Sequence, residues 1–389
     1  MTCLKGRMLR PLSFSLYIYG HIYNLTNAIY VRKHMAEPSA MNQNGTTTKL
    51  NQRDETSLVN EEVEVEHLKQ CLPKTTWMGS KQNLLIKIQD FWYLTNFSNI
   101  LTFQTHFLAQ DTDLIVASFP KTGTTWLKSL LFSITNRFVN PPNKTPLLTN
   151  NPHELVCDLE TAIYGGNTGN SKLPHPNQLN ELPSPRLFSS HLPYSSLPES
   201  VKVSSCKILY ICRNPLDTLV SHWLFFPKLI KKITGDENFQ PSNIEDFFED
   251  FCQGEVIYGP FFEHVVGYWK QSLEQPNKVL FFKYEDLKEN PSAHVKKLAE
   301  FVGMPFSTQE ENEGVIEEII DLCSINTLKD LEVNKSGSLS HFFENKTFFR
   351  DGEVGGWTRY LTDSMAEKMN ELIEQKLGGS GLSFKLKPL

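Results

Sequence analysis

The sequence predicts a single doubly wound, mostly parallel α/β sheet flanked by helices, and three observations predict it. Short β-rich apolar runs occur at Leu114-Ile115-Val116-Ala117-Ser118-Phe119, Lys207-Ile208-Leu209-Tyr210-Ile211-Cys212 and Lys278-Val279-Leu280-Phe281-Phe282-Lys283-Tyr284. Their length and continuity suit strands buried on both faces of a parallel sheet. Each run gives way to a helix-start signal, and strand–helix alternation is the mark of this class. Anion-binding residue types stand just past the runs, where open parallel sheets bind their ligands.

The elements follow in order. The first 36 residues hold no Asp or Glu but do hold Lys5, Arg7, Arg10, Arg32 and Lys33. The aromatic stretch from Pro11 to Val31 is broken by His21, Asn24, Thr26 and Asn27, so it is weak as a membrane span. It reads as sequence upstream of a start at Met35 or Met41, with an organelle transit peptide as the alternative. Residues 36 to about 70 are polar and aperiodic, which predicts a flexible tail. Residues 1–74 are therefore expected to be an extension, and 75–389 one domain without an internal repeat. After the first strand, Thr125-Trp126-Leu127 begins a helix. Asn214-Pro215 and Asn290-Pro291 each place a capping residue before a proline at the first helical position. A last helix is predicted over Ser364 to Leu377, with Ser364 and Glu367 as a capping box and Gly378 as the stop.

Composition narrows the function. The 389 residues are 40% hydrophobic and 21% charged with a net charge of −6, so no global positive field favours nucleic acid or an anionic membrane. Seven cysteines without a CxxC pair argue against a disulfide framework or structural zinc and suit a reducing compartment such as the cytoplasm. No metal cluster is visible.

The strongest chemical signal is Phe119-Pro120-Lys121-Thr122-Gly123-Thr124-Thr125-Trp126, between a buried strand and a helix. Gly123 permits a tight turn, the helix start offers unpaired N–H groups, the threonines add hydroxyls and Lys121 a cation: together an anion cradle. The alternative is an ordinary Gly/Thr turn. It is not a Walker A loop, because GxxxxGK[ST] does not match. A kinase-like NTPase would also need an acidic Mg²⁺ ligand at a strand end, and Asp111 and Asp113 stand at the wrong end of theirs.

This octapeptide resembles the phosphosulfate-binding loop of cytosolic sulfotransferases, and further segments match in the family's order over roughly residues 75–385. Leu187-Phe188-Ser189-Ser190-His191-Leu192-Pro193 resembles the segment bearing the catalytic histidine, in a form typical of plant members. Arg213-Asn214-Pro215-Leu216-Asp217-Thr218-Leu219-Val220-Ser221 is similar to the 3′-phosphate segment, and Tyr284-Glu285-Asp286-Leu287 to the element after the next strand. Gly352-Glu353-Val354-Gly355-Gly356-Trp357 resembles the C-terminal glycine loop.

The resemblance implies a P-loop-kinase-like sulfotransferase fold with 3′-phosphoadenosine 5′-phosphosulfate as co-substrate, no metal, and a small hydroxylated acceptor, a flavonoid or other phenolic being favoured. It implies that Lys121 and His191 are catalytic. Thr122, Gly123, Thr124 and Thr125 would hold the 5′-phosphate, Trp126 and Tyr284 would flank the adenine, and Arg213 and Ser221 would hold the 3′-phosphate. Ser324, Arg350, Asp351 and Gly352 would complete the nucleotide site. An imidazole near pKa 6.5 can take a hydroxyl proton at neutral pH, and a lysine can neutralise charge on a leaving phosphate.

The chain departs from the family's pattern. Asp351 stands where lysine is common, which predicts repulsion of roughly 1–4 kcal/mol at ~4 Å from the 3′-phosphate, reduced if Asp351 rotates outward. Gly356 stands where aspartate is common, and Ile325 where an aromatic is. A catalytically silent nucleotide-binding protein is thus the competing reading. The dimer motif after Trp357 is poorly matched at Thr358 and Asp363, which predicts a monomer or weak dimer. Phe225, Phe226, Phe261, Phe262 and Trp92 are expected either to line an apolar acceptor pocket or to be core.

Overall fold

The computed structural model describes residues 70–95, 97–165, 173–340 and 342–386. The expectations for the basic N-terminus and most of the polar tail lie outside the described residues. Strands begin at Lys74, with β1 (Lys74–Thr76), β2 (Asn83–Ile88) and β3 (Phe91–Leu94) forming a small antiparallel sheet. A two-residue turn, Gln89-Asp90, joins β2 to β3, and both its residues have positive φ (53° and 69°), as a type I′ hairpin requires.

The main sheet is parallel throughout. Its strands are β4 (Leu114–Ser118), β5 (Cys157–Asp158), β6 (Leu187–Ser190), β7 (Lys207–Cys212) and β8 (Val279–Lys283), in the spatial order β5-β6-β4-β7-β8. The three predicted runs are the strands β4, β7 and β8. Successive residues of β4 point to opposite faces, as pleating demands. Ile115 and Ala117 join a core shared with the small sheet, and Leu114 and Val116 join the core beneath the helix that follows. All five residues of β4 are buried, which is why the run reads as continuously apolar.

Strand order reverses around β4: the chain passes to one side through β5 and β6, then to the other through β7 and β8. Loops leaving the sheet on the two sides therefore diverge at the carboxyl end of β4 and open a crevice there. Helices α1 (Ser98–His106), α2 (Thr124–Asn136), α3 (Pro215–Phe225), α4 (Phe261–Glu274), α5 (Pro291–Phe301), α6 (Ile325–Asp330) and α7 (Asp363–Leu377) are among those that frame it or brace its walls.

The Asn-Pro devices form as predicted. Asn214 Oδ1 accepts from Asp217 N at 2.8 Å with Pro215 opening α3, and Asn290 Oδ1 accepts from Ala293 N at 3.2 Å with Pro291 opening α5. The last helix differs at its start. Its cap is Thr362, whose hydroxyl accepts from Met365 N, so the predicted Ser364–Glu367 capping box does not form. The threonine two residues upstream takes the capping position and leaves Ser364 in the first turn. Met369 and Ile373 do face the core.

Candidate active site

The carboxyl ends of four parallel strands each deliver one of the expected residues. The β4 loop carries Lys121, His191 directly follows β6, Arg213 follows β7 and Tyr284 follows β8. Adjacent parallel registers (Ala117 beside Ser190 and Tyr210, Cys212 beside Lys283) bring these strand ends level. They open into one cavity of about 1150 Å³, lined by Lys121, Gly123, Thr124, Thr125, Trp126, His191, Arg213, Ser221, Tyr284, Ser324, Arg350 and Gly352 among others.

The turn after β4 is built around close contacts. Gly123 has φ 114°, and a Cβ there would stand 2.8 Å from the Tyr284 ring and 3.0 Å from Ile211 Cδ1. Lys121 also has positive φ, 71°, an uncommon state for a residue with a side chain. Thr122 locks the turn: its hydroxyl lies 2.7 Å from Phe119 O and 2.9 Å from Ile211 O, bridging the ends of β4 and β7. The threonines are thus not three equivalent ligand donors. Thr122 is buried and spent on carbonyls, Thr124 pairs with Ser118 Oγ at 2.6 Å, and Thr125 meets the ring of His153 at 2.9 Å. What the turn presents to the cavity is the N-terminus of α2, whose first N–H groups lack helical partners.

Cations surround that helix end. Burial, helped by the nearby Arg350 and Arg213, pushes the Lys121 ammonium down to about 7. Its Nζ lies 3.5 Å above the Phe225 ring centroid. Arg213 is buried, lies over the Tyr284 ring at 4.7 Å, and donates to Glu353 O while pairing with Asp217 at 3.3 Å. Its Nε has no hydrogen-bond partner among the described residues. An orphaned guanidinium N–H beside a lysine and a second arginine suits an anion.

Trp126 and Tyr284 stand edge to face with centroids 5.4 Å apart, and the Tyr284 hydroxyl donates to Gly352 O at 2.7 Å. Gly352 has φ 65°, and its missing Cβ leaves room for Ile325 and Tyr284. Ser324 caps α6 through Thr327 N at 3.1 Å and still borders the cavity. Asp351 is corrected. Its side chain is exposed and does not line the cavity; it points to Arg359 at 3.4 Å and Arg350 at 3.7 Å. Arg359, which does not line the cavity, holds the carboxylate on the exposed side.

His191 is held from three sides. Its Nδ1 stands 2.8 Å from Ser118 O, so Nδ1 carries the hydrogen and Nε2 is left bare. Its backbone N–H donates to Glu160 Oε1 at 2.5 Å, and His264 Nε2 meets its carbonyl oxygen at 2.9 Å. Burial lowers the imidazole below its usual value despite the opposing pull of Asp158, so the ring is neutral near pH 7. A neutral imidazole with a bare Nε2 in a cavity is a competent base.

Several residues were not foreseen. Asp158 and Glu160 arrive on β5 and the single π-helical turn Leu159–Ile163, a conformation frequent at functional sites. Lys128, buried, and His153, half-buried, form a hydrogen-bonded pair under Thr125. Apart from the Asn-Pro-His sequence around His153, the chain offers no local signal for them, because each acts through a partner remote in sequence. Of the five expected acceptor residues, Phe225 and Phe226 line the cavity, whereas Phe261, Phe262 and Trp92 are core. Phe261 packs on Phe119 and Phe251, and Trp92 is fixed by backbone bonds to the Tyr258-Gly259 segment.

Comparison with known proteins agrees with this geometry. A sulfotransferase domain model matches residues 111–381. The chain is 49% identical over 303 residues to cytosolic sulfotransferase 5 of Arabidopsis thaliana, covering 77% of this chain and 90% of that one. It is 44% identical over 328 residues to a flavonol 3-sulfotransferase of Flaveria bidentis, covering 82% and 100%. The crystal structure of a mouse sulfotransferase complexed with PAP superposes with a TM-score of 0.56 at 26% identity, covering 76% and 95%. On the match of the domain model over residues 111–381 and the identity to these relatives, the chain belongs to the sulfotransferase family.

Proposed function

We propose that this sulfotransferase moves the sulfuryl group of 3′-phosphoadenosine 5′-phosphosulfate to the hydroxyl of a small phenolic acceptor, a flavonoid being favoured, with His191 as the base. The observation that carries this reading is the bare Nε2 of His191 in the same cavity as Lys121 and the α2 N-terminus. The PAP held by the mouse sulfotransferase and the flavonol named for the Flaveria relative support the two substrates.

The 5′-phosphate fits the N–H groups of Gly123 to Thr125, and the 3′-phosphate fits Arg213, whose Nε lacks a partner among the described residues, with Ser221 and Arg350 on the same cavity wall. The acceptor end is lined by Leu94, Ile163, Tyr164, Phe226, Ile257 and Tyr258, an apolar and aromatic wall suited to a flat ring system. The acceptor oxygen attacks sulfur as its proton passes to Nε2, while the bond from sulfur to the 5′-phosphate oxygen breaks in line. The electron pair of that bond stays with the phosphate, and the Lys121 ammonium stabilises the charge gained there. The products are the sulfate ester, the nucleoside bisphosphate and a proton on His191.

Transfer of labelled sulfate to flavonols, simple phenols and aliphatic alcohols tests this. Flavonols should turn over best, and His191→Ala should lower kcat by about 10²-fold or more. Turnover of aliphatic alcohols alone would overturn the acceptor class. A fully active His191→Ala would overturn the base.

A further inference from the structure

The Lys128–His153 pair beneath Thr125 has no part in the steps above. Lys128 lies one helical turn after Thr125 on α2, is fully buried, and places Nζ 3.0 Å from His153 Nδ1. The other ring nitrogen, Nε2, is 2.9 Å from Thr125 Oγ1. The imidazole is fixed against rotation. It stacks on Phe348 at 4.2 Å and 29°. Its backbone is set by a capping box, with His153 N donating to Asn151 Oδ1 at 3.0 Å and Asn151 N donating to Glu154 Oε2 at 3.2 Å. His153, Thr125 and Phe348 border the cavity, and Lys128 stands behind them.

The hydrogen positions follow from donor inventory. A lysine ammonium only donates, so Nδ1 of His153 must accept. Burial and the neighbouring Lys128 hold the imidazole far below its usual range, so it carries one hydrogen, and that hydrogen is on Nε2. Nε2–H therefore donates to Thr125 Oγ1. A hydroxyl that accepts from the protein has its own hydrogen left for another acceptor, and Thr125 stands in the first turn of α2 on the cavity wall.

We infer that Lys128 and His153 form an orienting relay that fixes the Thr125 hydroxyl as a donor to the 5′-phosphate of the nucleotide. The inference rests on the sulfotransferase reading and adds two positioning residues to it. The phosphate is the leaving group of the proposed reaction, so a donor locked toward it favours both nucleotide binding and bond breaking. Without the ammonium, His153 can place its hydrogen on Nδ1, and the Thr125 hydroxyl then turns to donate to the bare Nε2 instead of to the phosphate.

Calorimetric titration with two ligands separates this relay from a merely structural role. 3′-Phosphoadenosine 5′-phosphate carries the 5′-phosphate, and adenosine 3′-monophosphate lacks it. His153→Leu should weaken the bisphosphate by roughly tenfold or more, the worth of a hydrogen bond to a charged group, and leave the monophosphate within about twofold. His153→Gln, which keeps a donor and an acceptor, should recover most of the loss. Lys128→Met should show the same selective weakening and move the His153 hydrogen to Nδ1 by nitrogen NMR. Equal weakening of both ligands, no weakening, or a Gln variant no better than Leu overturns the relay. A native chain that binds neither nucleotide overturns the sulfotransferase reading as well, so the two failures are distinguishable.

Discussion

In the proposed reaction Lys121 and His191 must hold opposite protonation states, and the cavity sets both. His191 has to be neutral, and burial lowers it below its usual value of 6.5. Lys121 has to be charged, and burial with two arginine neighbours brings it to about 7. The kcat/KM of the free enzyme should therefore rise with pH through the lowered histidine value and fall again as Lys121 loses its proton near 7. Bound nucleotide adds negative charge and raises the lysine, so the alkaline limb of kcat should move to higher pH than that of kcat/KM. A pH profile of both parameters checks this; coincident alkaline limbs would contradict it. Asp351 bears the opposite lesson. Its type predicted repulsion, but an exposed carboxylate between two arginines is screened. Asp351→Asn should change the nucleotide Kd by less than about threefold. Lys121 and Arg213 drew attention because each follows a strand whose own sequence is legible, whereas His191 follows β6, four residues ending in two serines, and was expected from the resemblance of its segment. Residue identity did not reveal the direction of Asp351, which depends on Arg359 eight residues later.

At the scale of elements, the β4–α2 turn is the most constrained piece of backbone in the site. Gly123→Ala would push a methyl group into the Tyr284 ring and force an alanine to φ 114°. The expected cost is about 2 kcal/mol or more, read as a fall in thermal midpoint together with weakened nucleotide binding. Asn214→Ala removes the α3 cap and a side-chain bond to Glu285 at 3.0 Å, and should cost about 1–2 kcal/mol in denaturant unfolding. The Asn-Pro starts were legible because both residues act locally. The Gln89-Asp90 hairpin was not, since neither residue is glycine and the pairing of β2 with β3, rather than turn chemistry, holds the positive φ values. The π-helical turn was hidden for a similar reason. Asp158 anchors it by accepting from Thr161 N at 2.8 Å, and its side chain reaches Ser189 on a separate strand.

For the whole molecule, function depends on one sheet bringing distant segments level. Residues from the β4 turn to Gly352 meet in a single cavity although each segment alone reads as an ordinary strand end or loop. No described helix is long and apolar enough to cross a membrane, and the Arabidopsis relative is named as cytosolic. The chain's net charge of −6 gives it no attraction for polyanions except inside the cavity. That local excess of positive charge is the central claim, and one titration tests it most directly. Calorimetry with 3′-phosphoadenosine 5′-phosphate on the native chain and on Arg213→Ala should give saturable binding by the first, with at least tenfold weakening in the second. ATP, which lacks the 3′-phosphate, should bind far less tightly than the bisphosphate. Absence of saturation at millimolar nucleotide, or equal affinity of native and variant chains, would contradict the account.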